Sequence, residues 1–312
     1  MLDYAPSLAH CKTARMSQPS ATVQRPADAS TCVLPPGPWH HLLDGLCARF
    51  PTVARIIWQQ RLAQGRVLDH QLQPLAAGSP YRPGMQIYYF REVPNERPVP
   101  YREQILYQDD HLLVADKPPF LPVIPSGGYV EQTLLRRLSR RLGNSELQPL
   151  HRLDRHTRGL VLFSVNRESR GRYQALFRDQ LIHKLYEAIA PALPQLEFPH
   201  VRDSRIERDE RFFRSREVAG PHNAQTRIAI IEQQGDRCRY RLKPVTGKKH
   251  QLRLHLAALG APIENDAFYP EVDDALAEDF NRPLQLLARE VRFVDPVTGI
   301  PHHFRTQQAL NW

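Results

Sequence analysis

The sequence predicts an α+β protein, and three observations lead to that fold class. Pairs of short apolar strands separated by polar turns are predicted over residues 105–117 and 224–244. Apolar residues at helical spacing predict helices over residues 133–142, 167–180 and 249–259. Hydrophobic residues make up 41% of the 312 residues, which is enough to bury a core.

The chain divides into four predicted segments that differ in composition. Residues 1–36 are polar, rich in Ser, Ala, Thr and Pro, and lack a hydrophobic period, which predicts a disordered arm. Residues 37–92 predict a small folded unit, and the Pro-rich residues 93–102 predict a linker. Residues 103–312 form the predicted main domain, which we expect to carry the function.

The small unit begins with two helices, predicted over residues 40–50 and 53–63, and closes with a strand over residues 84–90. This order, together with the sequence QGRVLDHQLQPLAAGSPYRPGMQIYY, resembles a degenerate S4-type RNA-binding module. The resemblance implies a contact with RNA beside the main domain. A generic small α+β unit is the alternative interpretation.

The main domain is predicted to contain strands with helices between them. Asn166 is a residue type suited to cap the helix that begins at Arg167. Lys184 and Tyr186 lie two positions apart in a predicted strand, so they share one face of it. Residues 201–216 predict an exposed hairpin or loop. A strand, a polar turn and a second strand are predicted over residues 105–118, and a last short strand is predicted to begin at residues 303–304. The other strands are predicted over 160–163, 183–190, 224–231, 237–244 and 286–293.

Basic residues outnumber acidic residues by 42 to 33, a formal net charge of +9 with a pI near 9.6. The basic residues are clustered. Residues 134–158 contain seven arginines and two acids, residues 237–255 contain seven basic residues and no acid, and acids gather at 271–279. A basic surface on one part of a molecule predicts binding of phosphate groups.

Two classes of protein are disfavoured by the sequence. No apolar run is long enough to cross a bilayer, and the N-terminus lacks the apolar region of a signal peptide. The cysteines form no CxxC pair and have no histidine at zinc-ligand spacing, so we expect no metal site. Few, unpaired cysteines fit a reducing compartment, which predicts a cytoplasmic protein. The cysteines are Cys11, Cys32, Cys47 and Cys238.

One carboxylate lies within the first basic cluster. Asp154 is surrounded in sequence by Arg152, Arg155 and Arg158, and the apolar run 160–163 follows directly. The run predicts a strand entering the core, which places Asp154 on a loop just before a rigid element. Nearby cations lower the pKa of a carboxyl group. From composition alone, both a surface salt bridge and a functional carboxylate are open.

Five sequences in a fixed order resemble the RluA family of RNA pseudouridine synthases. They are ILYQDDHLLVADKPPFLPV, LHRLDRHTRGLVLFSVN, KLYEAIA, LKPVTGKKHQLRLHLAALGAPIENDAFY and LLAREVRFVDPVTG, and the resemblance covers about residues 105–304. The resemblance implies a catalytic fold with a central, mostly antiparallel, bent sheet flanked by helices. It also implies isomerisation of uridine to pseudouridine in structured RNA, with no cofactor and no metal.

The resemblance also implies roles for individual residues. Asp154 of HRLD stands at the family's catalytic position, Tyr186 at that of the active-site aromatic, and Arg253 at that of the arginine that pairs with the catalytic carboxylate. Arg152 corresponds to an arginine that can fill the space left by the flipped base. Together with the basic clusters, this predicts RNA contacts from Arg152, Arg155, Arg158, Arg136, Arg137, Lys248 and Lys249.

The sequence departs from the family pattern beside the predicted site. His156 and Arg158 stand where the family more often has Asp and Ser, and Lys248 and Lys249 replace a usual Arg-Thr pair. These changes put RNA contacts in doubt more than the chemistry.

The carboxylate of Asp154 either attacks C1′, as in retaining glycosidases, or removes a proton from the sugar; the sequence leaves both routes open. Ribosomal RNA is the favoured substrate and transfer RNA the alternative, and a monomer is expected. A non-catalytic RNA-binding protein or RNA chaperone is the second hypothesis. A glycoside hydrolase is the third hypothesis. It would need two carboxylates at the site, and the motif around Asp154 contains no obvious second one.

Overall fold

The computed structural model describes residue 26 and residues 29–93, 95–211 and 213–312. The chain forms two compact units, divided between Arg91 and Glu92. Within the described ranges, every helix is too short or too polar to cross a membrane.

The first unit contains a three-stranded antiparallel sheet in the order β1-β3-β2 and two helices. Its core surrounds the fully buried Trp58 and includes Leu42, Leu46 and Ile87. The elements are β1 (Ser30–Val33), α1 (Leu42–Arg49), α2 (Arg55–Ala63), β2 (Val67–Leu68) and β3 (Gln86–Tyr89).

Strand β1 corrects part of the sequence prediction, because it lies within the segment predicted as a disordered arm. Four residues of that segment pair with β3, from Ser30 opposite Tyr89 to Val33 opposite Gln86. The arm before residue 26 lies outside the described residues. Whether this unit is an S4-type module stays a prediction.

The second unit is built on one eleven-stranded sheet. The main order of strands is β10-β9-β11-β12-β8-β13-β7-β5-β4, with β14 on β13 and β6 on β7. Its strands are β4 (Gln104–Gln108), β5 (Leu112–Lys117), β6 (Gln148–Pro149), β7 (Arg158–Ser164), β8 (His183–Pro191), β9 (His200–Arg208), β10 (Ser215–Val218), β11 (Ala224–Gln234), β12 (Arg237–Pro244), β13 (Leu286–Val294) and β14 (Pro301–Arg305). Its helices are α3 (Leu134–Leu142), α4 (Arg167–Arg178), α5 (Gln251–Ala258) and α6 (Asp274–Ala277).

Every named strand pair in this sheet is antiparallel except β13 with β7. The predicted mostly antiparallel sheet flanked by helices is therefore confirmed. The basic segment around 201–216, predicted as a hairpin or loop, forms the paired strands β9 and β10.

Strands β5 and β7 are buried along their whole length because both faces of the sheet are covered there. Alternate residues enter two cores. Leu113, Ala115, Val161 and Phe163 face a core with Leu134 and Leu138 of α3, and Leu112, Val114, Leu160 and Leu162 face a core with Tyr173 and Leu176 of α4. The apolar run after Asp154 therefore anchors the loop before it to the most buried part of the sheet.

Gly159 allows the parallel strands β7 and β13 to approach closely. Its φ of +112° lies in a region that L side chains rarely adopt, and an added Cβ would lie 2.3 Å from the Ala288 carbonyl oxygen. This contact fixes the end of the Asp154 loop against β13.

The segment predicted as a linker instead packs onto the second unit. The Glu96 carboxylate accepts hydrogen bonds from the backbone N–H groups of Val130 and Glu131, each at 2.9 Å. Val99 is buried in the α3 core, and the Tyr101 hydroxyl donates to the Phe280 carbonyl. Proline content predicted an irregular backbone here but not this attachment.

Candidate active site

Asp154 lies on the loop between β6 and β7, and its side chain is 30% exposed. The Thr157 N–H donates to the Asp154 carbonyl at 3.2 Å and closes a turn. The Lys117 ammonium donates to the carbonyl of Arg155 at 3.1 Å from the neighbouring strand β5. The loop is therefore fixed by a hydrogen bond within its own turn and by a second hydrogen bond to β5.

Lys117 is fully buried and uses all three of its donors on backbone oxygens. The other two acceptors are the carbonyls of Pro118 at 2.9 Å and Leu121 at 2.8 Å. Burial lowers the pKa of Lys117 to about 7, and the Asp154 charge opposes that shift. Two of the acceptors lie on the segment that directly follows Lys117 and the third lies on the Asp154 loop, so the role of this lysine was not visible in the sequence.

Arg253 of α5 faces the Asp154 carboxylate as the motif predicted. Its Nη1 lies 3.7 Å from Asp154 Oδ2, and its side chain is 1% exposed. The other two nitrogens bind Asp266, with Nε donating to Oδ2 at 2.7 Å and Nη2 donating to Oδ1. Arg253 Nη1 has no hydrogen-bond partner among the described residues, so the guanidinium directs one unused donor towards Asp154.

Asp266 orients this arginine and was missed by sequence reasoning. Its Oδ1 also accepts from the backbone N–H groups of Phe268 at 2.8 Å and Tyr269 at 3.1 Å. Because both of its oxygens are engaged, Asp266 does not provide the second free carboxylate that a glycoside hydrolase requires. The residue was inside a recognised motif, but only the fold brings it to Arg253.

His250 lies on the other side of Asp154, with its Nε2 3.6 Å from Asp154 Oδ1. It precedes α5 in a left-handed conformation, with φ +58°, and its side chain is buried. Its ring stacks on Phe268, and its Nδ1 lies 3.1 Å from the Tyr269 hydroxyl. His250 was not among the site residues predicted from the sequence.

The charges around Asp154 keep its carboxyl group ionised. Burial alone would raise the pKa of Asp154, but the electrostatic influence of His250 and Arg253 lowers it below the usual value. The carboxylate is therefore an anion at neutral pH, partly open to solvent and held by a buried cation.

Tyr186 of β8 lies near enough for the Asp154 charge to affect it. Burial raises the pKa of the Tyr186 hydroxyl, and the Asp154 carboxylate raises it further. The phenol is therefore neutral at physiological pH. Its ring packs between the two cores on either side of the site.

Three cations form an exposed group beside Asp154, and we call Arg152, Arg208 and Lys249 the rim cations. Burial lowers the pKa of Lys249, Asp154 raises it, and the charges of Arg208 and Arg152 lower it. Arg152 and Arg208 have no carboxylate partner within the part of the chain that the structure describes. Arg208, at the end of β9, was missed because it stands among alternating acids. Lys248 is also exposed, next to Lys249.

Arg155 and Arg158 were predicted to contact RNA, but both are engaged by the protein. Arg155 donates to Glu278 at 2.7 Å and to the Ala277 carbonyl at 3.0 Å. Arg158 is buried and donates to the carbonyl of Ala309 at 3.2 Å. The structure departs from the prediction because the partners come from more than 120 residues later in the chain.

The predicted RNA contacts of α3 are also not supported by the geometry. Arg137 donates to the carbonyls of Tyr101 at 2.7 Å and Val99 at 2.9 Å, and it pairs with Glu103. Arg136 is half-buried in the first turn of the same helix. Arg137 therefore fastens the 99–103 segment to the domain.

In the described ranges, no three His, Cys, Asp or Glu side chains come together in a way that could hold a metal ion. The described cysteines, Cys32, Cys47 and Cys238, are free.

Comparison with known proteins identifies the family of this chain. Residues 111–258, which include both Asp154 and Arg253, match the RNA pseudouridylate synthase family model. An RNA pseudouridine synthase of Synechocystis sp. is 30% identical over 230 residues, covering 73% of this chain and 79% of the relative. The dual-specificity enzyme RluA of Haemophilus influenzae is 32% identical over 198 residues, covering 62% of this chain and 88% of that enzyme. The chain belongs to the RluA family of RNA pseudouridine synthases.

Solved structures of this family share the fold. Human RNA pseudouridylate synthase domain containing 4 is 26% identical, with a TM-score of 0.52 over 66% of this chain and 88% of that chain. Human RNA pseudouridylate synthase domain containing 1 gives a TM-score of 0.55 at 24% identity, covering 66% and 84% of the two chains. The protein is thus an RNA pseudouridine synthase, an isomerase that acts on RNA.

Proposed function

We propose that Asp154 is the catalytic residue of this synthase and that it acts on a uridine flipped out of structured RNA. The observation that carries the proposal is the partly exposed Asp154 carboxylate, 3.7 Å from the buried Nη1 of Arg253. Arg253 is fixed by Asp266 on its other side. A carboxylate held in one orientation and kept ionised is the group that cleavage of the N1–C1′ bond requires.

The chemistry begins at the sugar of the flipped nucleotide. Asp154 either attacks C1′ or removes a sugar proton, and either route breaks the bond between N1 and C1′. The freed uracil anion then rotates, and C5 joins C1′ as Asp154 leaves C1′ or returns the sugar proton. The C5 proton is lost and N1 gains one, so the product is an isomer of the substrate and Asp154 is regenerated. Asp154 loses its negative charge when it attacks C1′ or takes a proton, and it regains the charge when it is released. Arg253 stabilises the anionic form of Asp154 before and after the reaction.

Tyr186 provides a flat surface at the site on which the base stacks. Because the pKa of its hydroxyl is raised, the phenol is neutral and does not act as a phenolate base. To help remove the C5 proton, the neutral hydroxyl must pass its own proton onward as it accepts another.

We propose that the rim cations bind the phosphates on either side of the target uridine. A base inside a duplex cannot reach a carboxylate on a protein loop, so the nucleotide must leave the stack. Arg152 is exposed and lies two residues before Asp154, which suits it to fill the vacated space. Lys248 extends the same basic surface.

We favour ribosomal RNA as the substrate, with transfer RNA as the alternative, and a monomer that acts in the cytoplasm. Curated relatives carry the name dual-specificity RNA pseudouridine synthase, which makes both RNAs candidates for testing. Mapping pseudouridines in ribosomal and transfer RNA from cells with and without the gene identifies the substrate.

Substitution of Asp154 tests the catalytic assignment. We expect Asp154→Ala to reduce pseudouridine formation by at least about a thousandfold while RNA affinity stays within about threefold. Pseudouridine mapping measures the first quantity and filter binding the second. Unchanged conversion by Asp154→Ala would overturn the assignment. RNA from the deletion cells with an unaltered pseudouridine map would favour a non-catalytic RNA-binding role.

A further inference from the structure

The His250 side chain has a defined tautomer because its partner has only one proton to donate. The Tyr269 hydroxyl donates to the Ser215 carbonyl at 3.0 Å and accepts from the Ser215 N–H at 2.8 Å. His250 Nδ1 lies 3.1 Å from the same hydroxyl oxygen. With the Tyr269 proton directed at the Ser215 carbonyl, the donor in this contact is Nδ1–H. The proton of neutral His250 is therefore on Nδ1, and Nε2 carries a lone pair.

That lone pair faces Asp154. His250 Nε2 and Asp154 Oδ1 are 3.6 Å apart, and both are acceptors when the histidine is neutral. Burial lowers the pKa of His250 to about 4, and among its charged neighbours Asp154 and Asp266 oppose this shift while Arg253 and Lys249 add to it. At neutral pH, His250 Nε2 and Asp154 Oδ1 are thus two hydrogen-bond acceptors that face each other. When bound substrate excludes water from the gap between them, a hydrogen-bond donor of the substrate must take its place.

We infer that the donor is the 2′-hydroxyl of the target ribose, whose single proton is shared between His250 Nε2 and Asp154 Oδ1 in a three-centre hydrogen bond. A hydroxyl oxygen can lie about 2.8 Å from both atoms, given their separation. The inference rests on the proposed function, because Asp154 must approach C1′ or a neighbouring sugar proton. The 2′-oxygen is bonded to C2′, the carbon next to C1′, so it lies near the atom that Asp154 must approach. The N3–H donor of uracil is separated from C1′ by one more bond and lies farther from Asp154.

The arrangement gives His250 a role in specificity. A 2′-hydroxyl is the group that distinguishes RNA from DNA at a single nucleotide. A site built to accept that hydrogen bond leaves two acceptors unpaired with a deoxyribose substrate. The buried stack on Phe268 and the bond to Tyr269 hold the histidine ring in place before substrate arrives.

A four-way comparison tests this inference. Single-turnover rates are measured for the wild-type enzyme and His250→Asn, each with an RNA carrying uridine or 2′-deoxyuridine at the target position. Asn tolerates the left-handed backbone at this position, but its side chain is too short to reach the substrate. We expect His250→Asn to slow conversion of the ribose substrate about tenfold and that of the deoxy substrate by less than about twofold. Equal slowing of both would overturn the inference.

Two further arms keep the result interpretable. His255→Asn removes another buried histidine of α5, bonded to Ser204 and Thr226, and should leave the ratio between the two RNAs unchanged. Equilibrium binding in the Asp154→Ala background makes the same comparison without conversion. There His250→Asn should weaken binding of the ribose RNA alone, and equal weakening of both RNAs would contradict the inference. Failure of the wild-type enzyme to convert the ribose RNA would instead count against the proposed function.

Discussion

Helix α3 and the rim cations are both rich in positive charge, but they differ in what surrounds that charge. On α3, Arg140 pairs with Glu131, and Arg137 and Arg141 both pair with Glu103. The rim cations Arg152 and Arg208 have no carboxylate partner within the described ranges and lie beside Asp154 of the candidate site. A high density of arginines along the sequence therefore does not by itself identify a phosphate-binding surface. Carboxylates from other segments of the chain neutralise part of that positive charge.

The largest expected difference between the two regions concerns their acidic partners. Asp266→Asn removes the carboxylate that orients the buried Arg253, so we expect catalysis to fall about a hundredfold, since small displacements of a catalytic group are costly. Glu103→Gln breaks a comparable, mostly buried pair on the α3 side and should leave catalysis within about twofold. Single-turnover kinetics on both variants measure the contrast.

Stability measurements separate the chemical effect of Asp266→Asn from unfolding. Breaking a buried ion pair is expected to cost about 3–5 kcal/mol of unfolding free energy, and urea denaturation measures this cost in both variants. If Glu103→Gln lost as much catalysis as Asp266→Asn, the proposed distinction between the two regions would fail.

The next effect concerns RNA affinity and its dependence on salt. Replacing both Arg152 and Arg208 with Ala should remove about two phosphate contacts and reduce the slope of log affinity against log salt by about 1.5. Replacing both Arg140 and Arg141 with Ala should leave that slope unchanged, since those arginines already have acidic partners. Binding titrations at several salt concentrations compare the two double variants, and equal changes in slope would remove the distinction.

The last expected effect is a loss of stability in mildly acidic solution, and it does not involve RNA. Burial lowers the pKa of four histidines, to about 3 for His151 and about 4 for His156, His250 and His255. Between pH 6.5 and about 4 the unfolded chain binds protons that the folded protein excludes, so stability falls as pH decreases. Each histidine contributes on the order of 1 kcal/mol per pH unit in this window.

Urea denaturation at pH 7, 6 and 5 measures this trend. The carboxyl groups whose pKa is lowered, Asp154 among them, lose their contribution only as the pH falls through values below their usual range, so the histidines dominate above pH 5. A constant unfolding free energy from pH 7 to 5 would show that these histidines titrate normally.

Much of the fold followed from periodicity. The strand, turn and second strand predicted over residues 105–118 correspond to β4 and β5, and the apolar run 160–163 lies within β7. The pattern was strong there because both faces are buried. The linker at 93–102 and the arm that contains β1 were misjudged, because both segments are ordered by partners distant in sequence rather than by a pattern of their own.

The candidate site divides in a similar way. The sequence alone determined the family, the sheet-and-helix order and the set Asp154, Tyr186 and Arg253, because short motifs record which residue types the reaction needs. Only the tertiary structure decided which charges are available, which carboxylate orients Arg253 and which tautomer His250 adopts. The physical reason is that a hydrogen bond or ion pair depends on distance in space, and Arg155 and Glu278 meet across 123 positions of the chain.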